Sequence, residues 1–263
     1  MDLHLDSKTA FISGSTQGIG FAIAKQLVKE GARVILNGRT QQKIDLAIES
    51  LKQLYPDSQI SGIAADFSKS EEVEALINSL PSIDILINNV GIFELKSFDA
   101  ITDADWMRIF EVNVMSGVRL SRTLLPKMLN KNWGRVIFIS SESGINIPDN
   151  MIHYGMTKTA LVAISNGLAK LTKGTQVTVN TILGGPTYSD GVAEVIQQIA
   201  HAQNQDPEQL KAYIGSSTNP TSLLQRFIDP QELANLAVYL SSPLSIATNG
   251  ASLRADGGVL TGI

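Results

Sequence analysis

The sequence predicts an α/β fold: a doubly wound parallel sheet of about seven strands with helices on both faces. Three observations carry this. Short apolar runs alternate with longer stretches of helical periodicity along the whole chain. Several of those runs lack a polar alternate face, as strands covered on both sides do. The first run leads through a glycine-rich turn, Gly14-Ser15-Thr16-Gln17-Gly18-Ile19-Gly20, directly into a helical stretch.

The elements follow in order. Thr9 to Ser13 reads as a buried strand. Phe21 to Lys29 is helical, with Phe21, Ile23, Ala24, Leu27 and Val28 at helical spacing. Arg33 to Leu36 is the second strand, and Gln41 to Leu54 a helix whose Ile44, Ala47, Ile48 and Leu51 share one face. Strand 60–65, helix 71–80 and strand 83–87 continue the alternation. Asp103 to Leu129 reads as one long helix, which Pro126 should bend or end. Arg135 to Ser140 is a core strand, Tyr154 to Lys173 a helix of small and apolar residues, and Val177 to Leu183 a strand. Pro230 to Leu240 is a helix with proline in its first turn, and Ala251 to Arg254 a last short strand. Residues 184–226 are the least regular part, a long loop of the kind that serves as a lid over a site.

A length of 263 residues admits one large α/β domain or two small ones. The unbroken alternation selects a single domain over 1–263. With 43% hydrophobic and 17% charged residues the chain is globular. A net charge of −4 argues against a nucleic-acid partner. The absence of cysteine excludes disulfides, thiolate metal sites and a thiol nucleophile. His4, His153 and His201 are scattered, so no clustered metal site is expected. The amino terminus is too polar for a signal peptide, and no apolar run is long enough to span a membrane. The cytoplasm is therefore the expected compartment.

Strand, glycine turn and helix start form the arrangement that holds a dinucleotide. Glycines let the backbone approach a pyrophosphate, and the helix amino terminus offers free N–H groups. Glycines placed only for a tight turn are the alternative. The second strand ends in Asn37-Gly38-Arg39. A carboxylate there would favour NAD by binding the ribose hydroxyls. Arg39 instead suits a phosphate, so NADP is the expected cofactor, with NAD use left open. A solvated loop cation is the other reading of Arg39.

Tyr154 and Lys158 are four apart on a helix and share a face. An ammonium beside a phenol should lower its pKa and make it an acid–base group near neutrality. Ser141, at the end of a buried strand, could hold a substrate oxygen, and Asn113 is a polar residue in an apolar helical stretch. Each residue alone is ordinary, but their order behind the glycine turn is not.

Together with Asp66, Asn88-Asn89-Val90-Gly91, Ser140-Ser141, Tyr154-Gly155-Met156-Thr157-Lys158 and Asp256-Gly257-Gly258, these motifs resemble the short-chain dehydrogenase/reductase family over essentially the whole chain. The resemblance implies a Rossmann-type sheet and an Asn113, Ser141, Tyr154, Lys158 tetrad. It implies hydride transfer between NADP(H) and a carbonyl or secondary alcohol. Tyr154 would be acid in reduction and base in oxidation, with Ser141 bonding the same oxygen. Lys158 would hold the nicotinamide ribose, and Asn113 would place a water. Cofactor contacts are expected from Gly14, Ser15, Gln17, Gly18, Ile19, Gly20, Gly38, Arg39 and Gly91. Asp66 and Phe67 should border the adenine, Asn89 the adenosine side, and Gly185 and Thr187 the nicotinamide side. A homotetramer or homodimer is also implied, through the helices 103–129 and 154–173 and the tail Leu260-Thr261-Gly262-Ile263.

Three departures from the family pattern stand out, one being Gln17, where many NADP-using members carry a basic residue, so the NADP expectation rests mainly on Arg39. Val90 replaces an alanine, with little expected effect. Gly184 stands where proline is usual, which should loosen the following loop. Substrate contacts are expected from Ser141, Ser143, Phe93, Ile92, Ile147, His153, Tyr154 and Tyr188. Their mostly apolar lining suits a small, moderately hydrophobic carbonyl compound. A 3-oxoacyl-(acyl carrier protein) reductase, a sugar-alcohol dehydrogenase and a steroid dehydrogenase are alternatives. A non-catalytic dinucleotide sensor is the alternative from another class, and the intact tetrad argues against it.

Overall fold

Among the residues described, 2–217 and 220–262 of a computed structural model, seven strands form one sheet in the order β3-β2-β1-β4-β5-β6-β7. They are β1 (Thr9–Ile12), β2 (Arg33–Gly38), β3 (Ile60–Ala64), β4 (Ile85–Asn88), β5 (Gly134–Ser141), β6 (Val177–Gly184) and β7 (Ser252–Ala255). Every pairing is parallel. Thr218 and Asn219 of the expected lid, and Ile263 of the expected interface tail, lie outside the described residues.

The helices are α1 (Gly18–Lys29), α2 (Gln41–Leu54), α3 (Ser70–Ser79), α4 (Asp103–Phe110), α5 (Ser116–Asn130), α6 (Ile152–Lys170), α7 (Asp190–Gln203), α8 (Pro207–Ser217) and α9 (Pro230–Ser241). Strand side chains divide between two cores. Ala10, Ile12, Val34 and Leu36 pack with Ile23 and Leu27 of α1 and Ala234 and Ala237 of α9. Phe11, Ile35 and Leu86 point the other way, onto Val73 and Leu76 of α3, Leu120 and Leu124 of α5, and Leu161 of α6. The two-residue alternation of a strand explains the division.

Three expectations need correction. The long helix 103–129 is two helices joined by a π turn, Glu111–Met115. Pro126 does not end it. α5 runs on to Asn130 because Leu120, Leu124, Leu125 and Met128 are buried around the proline. The expected loop 184–226 carries α7 and α8, which close on each other through Ile196, Ala200 and Leu210. Gly184 is held within the sheet. It is the last residue of β6, paired to Ser141 on one side and Ala255 on the other. A Cβ there would lie 2.7 Å from Leu233 Cδ2, so the tight packing of α9 explains the glycine.

Candidate active site

The strand order reverses between β1 and β4, and ligands of such sheets bind in the crevice beyond that point. The glycine turn leaves β1 there. Gly14 (φ +62°) and Gly18 (φ +60°) adopt left-handed backbone that suits glycine. Asn89, just past β4, donates its amide to the carbonyls of Ser13 (3.1 Å) and Gly14 (2.8 Å). It therefore braces the turn. Ser15 is buried. Its hydroxyl donates to Ile12 O (2.8 Å) and accepts from the Asn37 N–H (3.0 Å), tying the turn to β2.

The α1 amino terminus already holds an anion. The Gly18 N–H donates to the Asp190 carboxylate at 2.6 Å, so a carboxylate stands in for a phosphate oxygen there. Gln17 is exposed beside it, and Ile19 is half-buried against the core. Gly38, ending β2, packs against Thr16. Arg39 is exposed and, among the described residues, has no hydrogen bond or ion pair. Asp66 is held below the usual carboxylate range by the Ser68 backbone N–H, then the Ser68 hydroxyl, with a smaller pull from Arg39. An exposed guanidinium just past the end of β2 fits the phosphate of a phosphorylated dinucleotide. Phe67 keeps its side chain in the core with Val73 and Leu76.

The π turn delivers Asn113. Its Oδ1 accepts from the Ile92 N–H (2.7 Å), and its Nδ2 donates to Ile92 O (2.9 Å) and Thr157 Oγ1 (3.0 Å). One amide thus joins the loop after β4 to α6. Single π turns inside helices frequently mark functional sites. On α6, Lys158 donates from Nζ to Ile139 O (3.0 Å). Gly91 leaves room for it: a Cβ there would sit 3.3 Å from Nζ.

Tyr154 lies one turn before Lys158, beside Ser141 at the end of β5. The expectation that Lys158 lowers the Tyr154 pKa is corrected. The ammonium lies 5.5 Å from the centre of the phenol ring and bonds to the Ile139 carbonyl. Burial first, and then the Glu142 charge, push Tyr154 upward, while the Ser141 hydroxyl pulls slightly the other way. Burial lowers Lys158 to about 8. The arrangement therefore holds Tyr154 as the neutral phenol at physiological pH.

Sequence reasoning missed Glu142. It opens a short 3-10 turn, Glu142–Gly144, and is buried with the two serines that flank it. Ser141 Oγ donates to its Oε2, and Ser143 Oγ donates to its Oε1 at 3.1 Å. The sequence signal available was weak: a glutamate enclosed by serines directly after a core strand.

Phe93 meets Tyr154 edge-on at 6.3 Å and is 44% exposed; Ile147, equally exposed, lies against Gly155 of α6. Ser143 is buried. Tyr188 packs against Phe227 (5.7 Å) and under Lys211 Nζ (4.1 Å from the ring centre). Gly185 lies against the Asp256 backbone, and Thr187 donates its hydroxyl to Gly185 O (2.8 Å). His153 is corrected as a pocket residue. It is 0% exposed and packs edge-on against Trp106 of α4 at 5.9 Å. Consecutive helical residues face different directions, and Tyr154 takes the cleft side.

A family model described as short chain dehydrogenase matches residues 8–200. The chain belongs to that family. An uncharacterized oxidoreductase of Bacillus subtilis, YvrD, is 48% identical over 263 residues, 99% of each chain. The D-beta-hydroxybutyrate dehydrogenase of Cupriavidus necator is 32% identical, covering 97% of this chain and 98% of the relative. Among solved structures, the L-sorbose reductase of Gluconobacter frateurii, complexed with NADPH and L-sorbose, superposes with a TM-score of 0.92. It is 30% identical, over 100% of both chains. This short-chain dehydrogenase is accordingly an oxidoreductase. Its seven-stranded parallel sheet is that of the family.

Proposed function

We propose that the protein is an NADP(H)-dependent carbonyl reductase, with the reverse alcohol oxidation open to it. The observation that carries this is the placement of Tyr154 one helical turn before Lys158 on α6, beside Ser141 and edge-on to Phe93. A protonated phenol is the form a general acid needs when a carbonyl becomes an alkoxide.

The dinucleotide would lie across Gly14, Ser15, Gln17, Gly18, Ile19, Gly20 and Gly38, with Asp66, Gly91, Gly185 and Thr187 along its length and Arg39 at the ribose phosphate. The nicotinamide supplies the hydride. Tyr154 gives its proton to the substrate oxygen, and Ser141 holds that oxygen. Lys158 faces the nicotinamide ribose, and Tyr154 takes its proton back from solvent. Asn113 fixes the loop after β4 against α6, which keeps Gly91 open for Lys158. Residues 184–226 act as the lid. Assembly as a homotetramer or homodimer, and a cytoplasmic location, belong to the same proposal; exposed Phe98 and Met107 offer apolar surface for assembly.

NADPH consumption against small ketones, ketoses and 3-oxo esters tests the activity. The NADPH- and L-sorbose-bound structure at 30% identity makes a ketose the first compound to try. Turnover of at least one compound is expected, and none across the panel overturns the reading.

Cofactor choice has its own test. Arg39→Ala is expected to weaken NADPH about tenfold or more, the scale of one charge-assisted phosphate contact, and to leave NADH nearly unchanged. Equal effects on both, read by fluorescence titration, would remove Arg39 from the phosphate site.

Asp190 makes the opposite prediction. It must leave the Gly18 N–H before a phosphate takes that place. Asp190→Ala is expected to tighten NADPH binding by about threefold to tenfold, the discounted worth of an exposed charged hydrogen bond. Weaker binding in that variant would show that the carboxylate assists the cofactor.

A further inference from the structure

Resting on the proposed carbonyl reduction, we propose that Glu142 is a positioning residue for Ser141. Its protonation decides whether the serine hydroxyl donates to the substrate oxygen or turns away from it. The hydrogen-bond count at Ser141 Oγ leads there. A hydroxyl has one proton and two acceptor lone pairs. One lone pair takes the Ser143 N–H at 3.1 Å. The proton goes to Glu142 Oε2. The Tyr154 phenol is also within reach of that hydroxyl. With Glu142 ionised, Ser141 therefore has no proton for a substrate carbonyl. With Glu142 protonated, Oε2–H donates to Ser141 Oγ, and the serine proton is free for the substrate. Ser143 Oγ still donates to Oε1 in both states, so the carboxyl stays in place.

The surroundings make that second state accessible. Glu142 is 9% exposed, and among the described residues no lysine or arginine pairs with it. Burial raises its pKa, against the hydrogen bonds from Ser141 and Ser143. The titratable groups that feel its charge are Tyr154 and Lys158, both on α6. β6, on the other side of the turn, places the uncharged Gly184 opposite Ser141. The turn itself cannot swing away. A Cβ on Gly144 would lie 2.9 Å from the Lys158 carbonyl carbon, and Thr159 Oγ1 donates to Gly144 O at 2.6 Å.

The sign follows. Reduction needs the protonated acid, so kcat/KM for a ketone should fall by about tenfold per pH unit above the Glu142 midpoint, as for any single essential proton. Glu142→Gln keeps the shape and cannot titrate. It is expected to lose that limb of the pH profile while binding NADPH as the parent does. The carboxylic-acid carbonyl stretch of Glu142, read by infrared difference against Glu142→Gln, should titrate with the same midpoint. Ser141→Ala removes a donor to the carboxylate and should move that midpoint upward. An unchanged pH limb in Glu142→Gln overturns the proposal. So does a carboxyl that titrates in the ordinary glutamate range or ignores Ser141→Ala. The infrared titration needs no substrate. Failure to reduce any ketone would thus count against the proposed activity, and Glu142 would be decided separately.

Discussion

Tyr154→Phe is expected to lower kcat for NADPH-driven ketone reduction by about 10²–10⁴-fold, the range spanned by loss of a positioned general acid. The variant removes one oxygen and keeps the ring. The edge-on contact with Phe93 at 6.3 Å and the Lys158 ammonium over the ring both survive. Folding and cofactor affinity should therefore stay near those of the parent. Asn113, held by Ile92 and Thr157, and Lys158, held by Ile139, do not depend on the phenol oxygen. The fall should appear in kcat, with KM moving little, because the proton is transferred only as the alkoxide forms. Stopped-flow measurement of NADPH oxidation, with a fluorescence titration of NADPH on the same sample, separates the two. Undiminished turnover would take Tyr154 out of the chemistry. Lost NADPH binding would show instead that the hydroxyl supports the cofactor. The sensor alternative predicts a parent without turnover, so the same pair of proteins distinguishes it.

Where the sequence was legible, the signal was local. Tyr154 and Lys158 share a face because a helix repeats every 3.6 residues, and the glycine turn is readable because strand, turn and helix are contiguous. The seven strands were visible as apolar runs, with ends displaced by a residue or two. What escaped depends on contacts between distant segments. Asp190 reaches Gly18 across 172 residues. Glu142 is buried because its turn packs on α6, while its immediate neighbours in sequence are all polar or glycine. His153 looked like a pocket residue because it adjoins Tyr154, but Trp106 of α4 covers it. The π turn was hidden because one extra residue per turn hardly disturbs an apolar pattern. α7 and α8 were missed because few of their residues are buried; Asn204, left-handed at φ 52°, ends the first, and Pro207 begins the second.

Gly20 carries the largest expected structural effect. A Cβ there would lie 2.4 Å from Gly14 O and 2.5 Å from Asn89 Nδ2. The first neighbour is backbone in a turn that Ser15 ties to β2, so it cannot yield by changing rotamer. The second is the amide that braces the same turn, and moving it breaks the bonds to Ser13 O and Gly14 O. Gly20→Ala is therefore expected to destabilise the fold by about 1–3 kcal/mol, the usual cost of forcing extra atoms into a packed site. It should also weaken NADPH by about a hundredfold, since the displaced turn is the surface that must meet the pyrophosphate. Gly191→Ala supplies the contrast. That glycine lies in α7 with nothing within 4 Å of its added Cβ. The same methyl group there should raise stability by about 0.5–1 kcal/mol through helix propensity alone. Thermal melts of the two variants should thus move in opposite directions. A Gly20→Ala protein that melts and binds NADPH like the parent would mean that the turn can open away from β2. Close packing of α1 against the Asn89 amide would then not be what fixes the dinucleotide site.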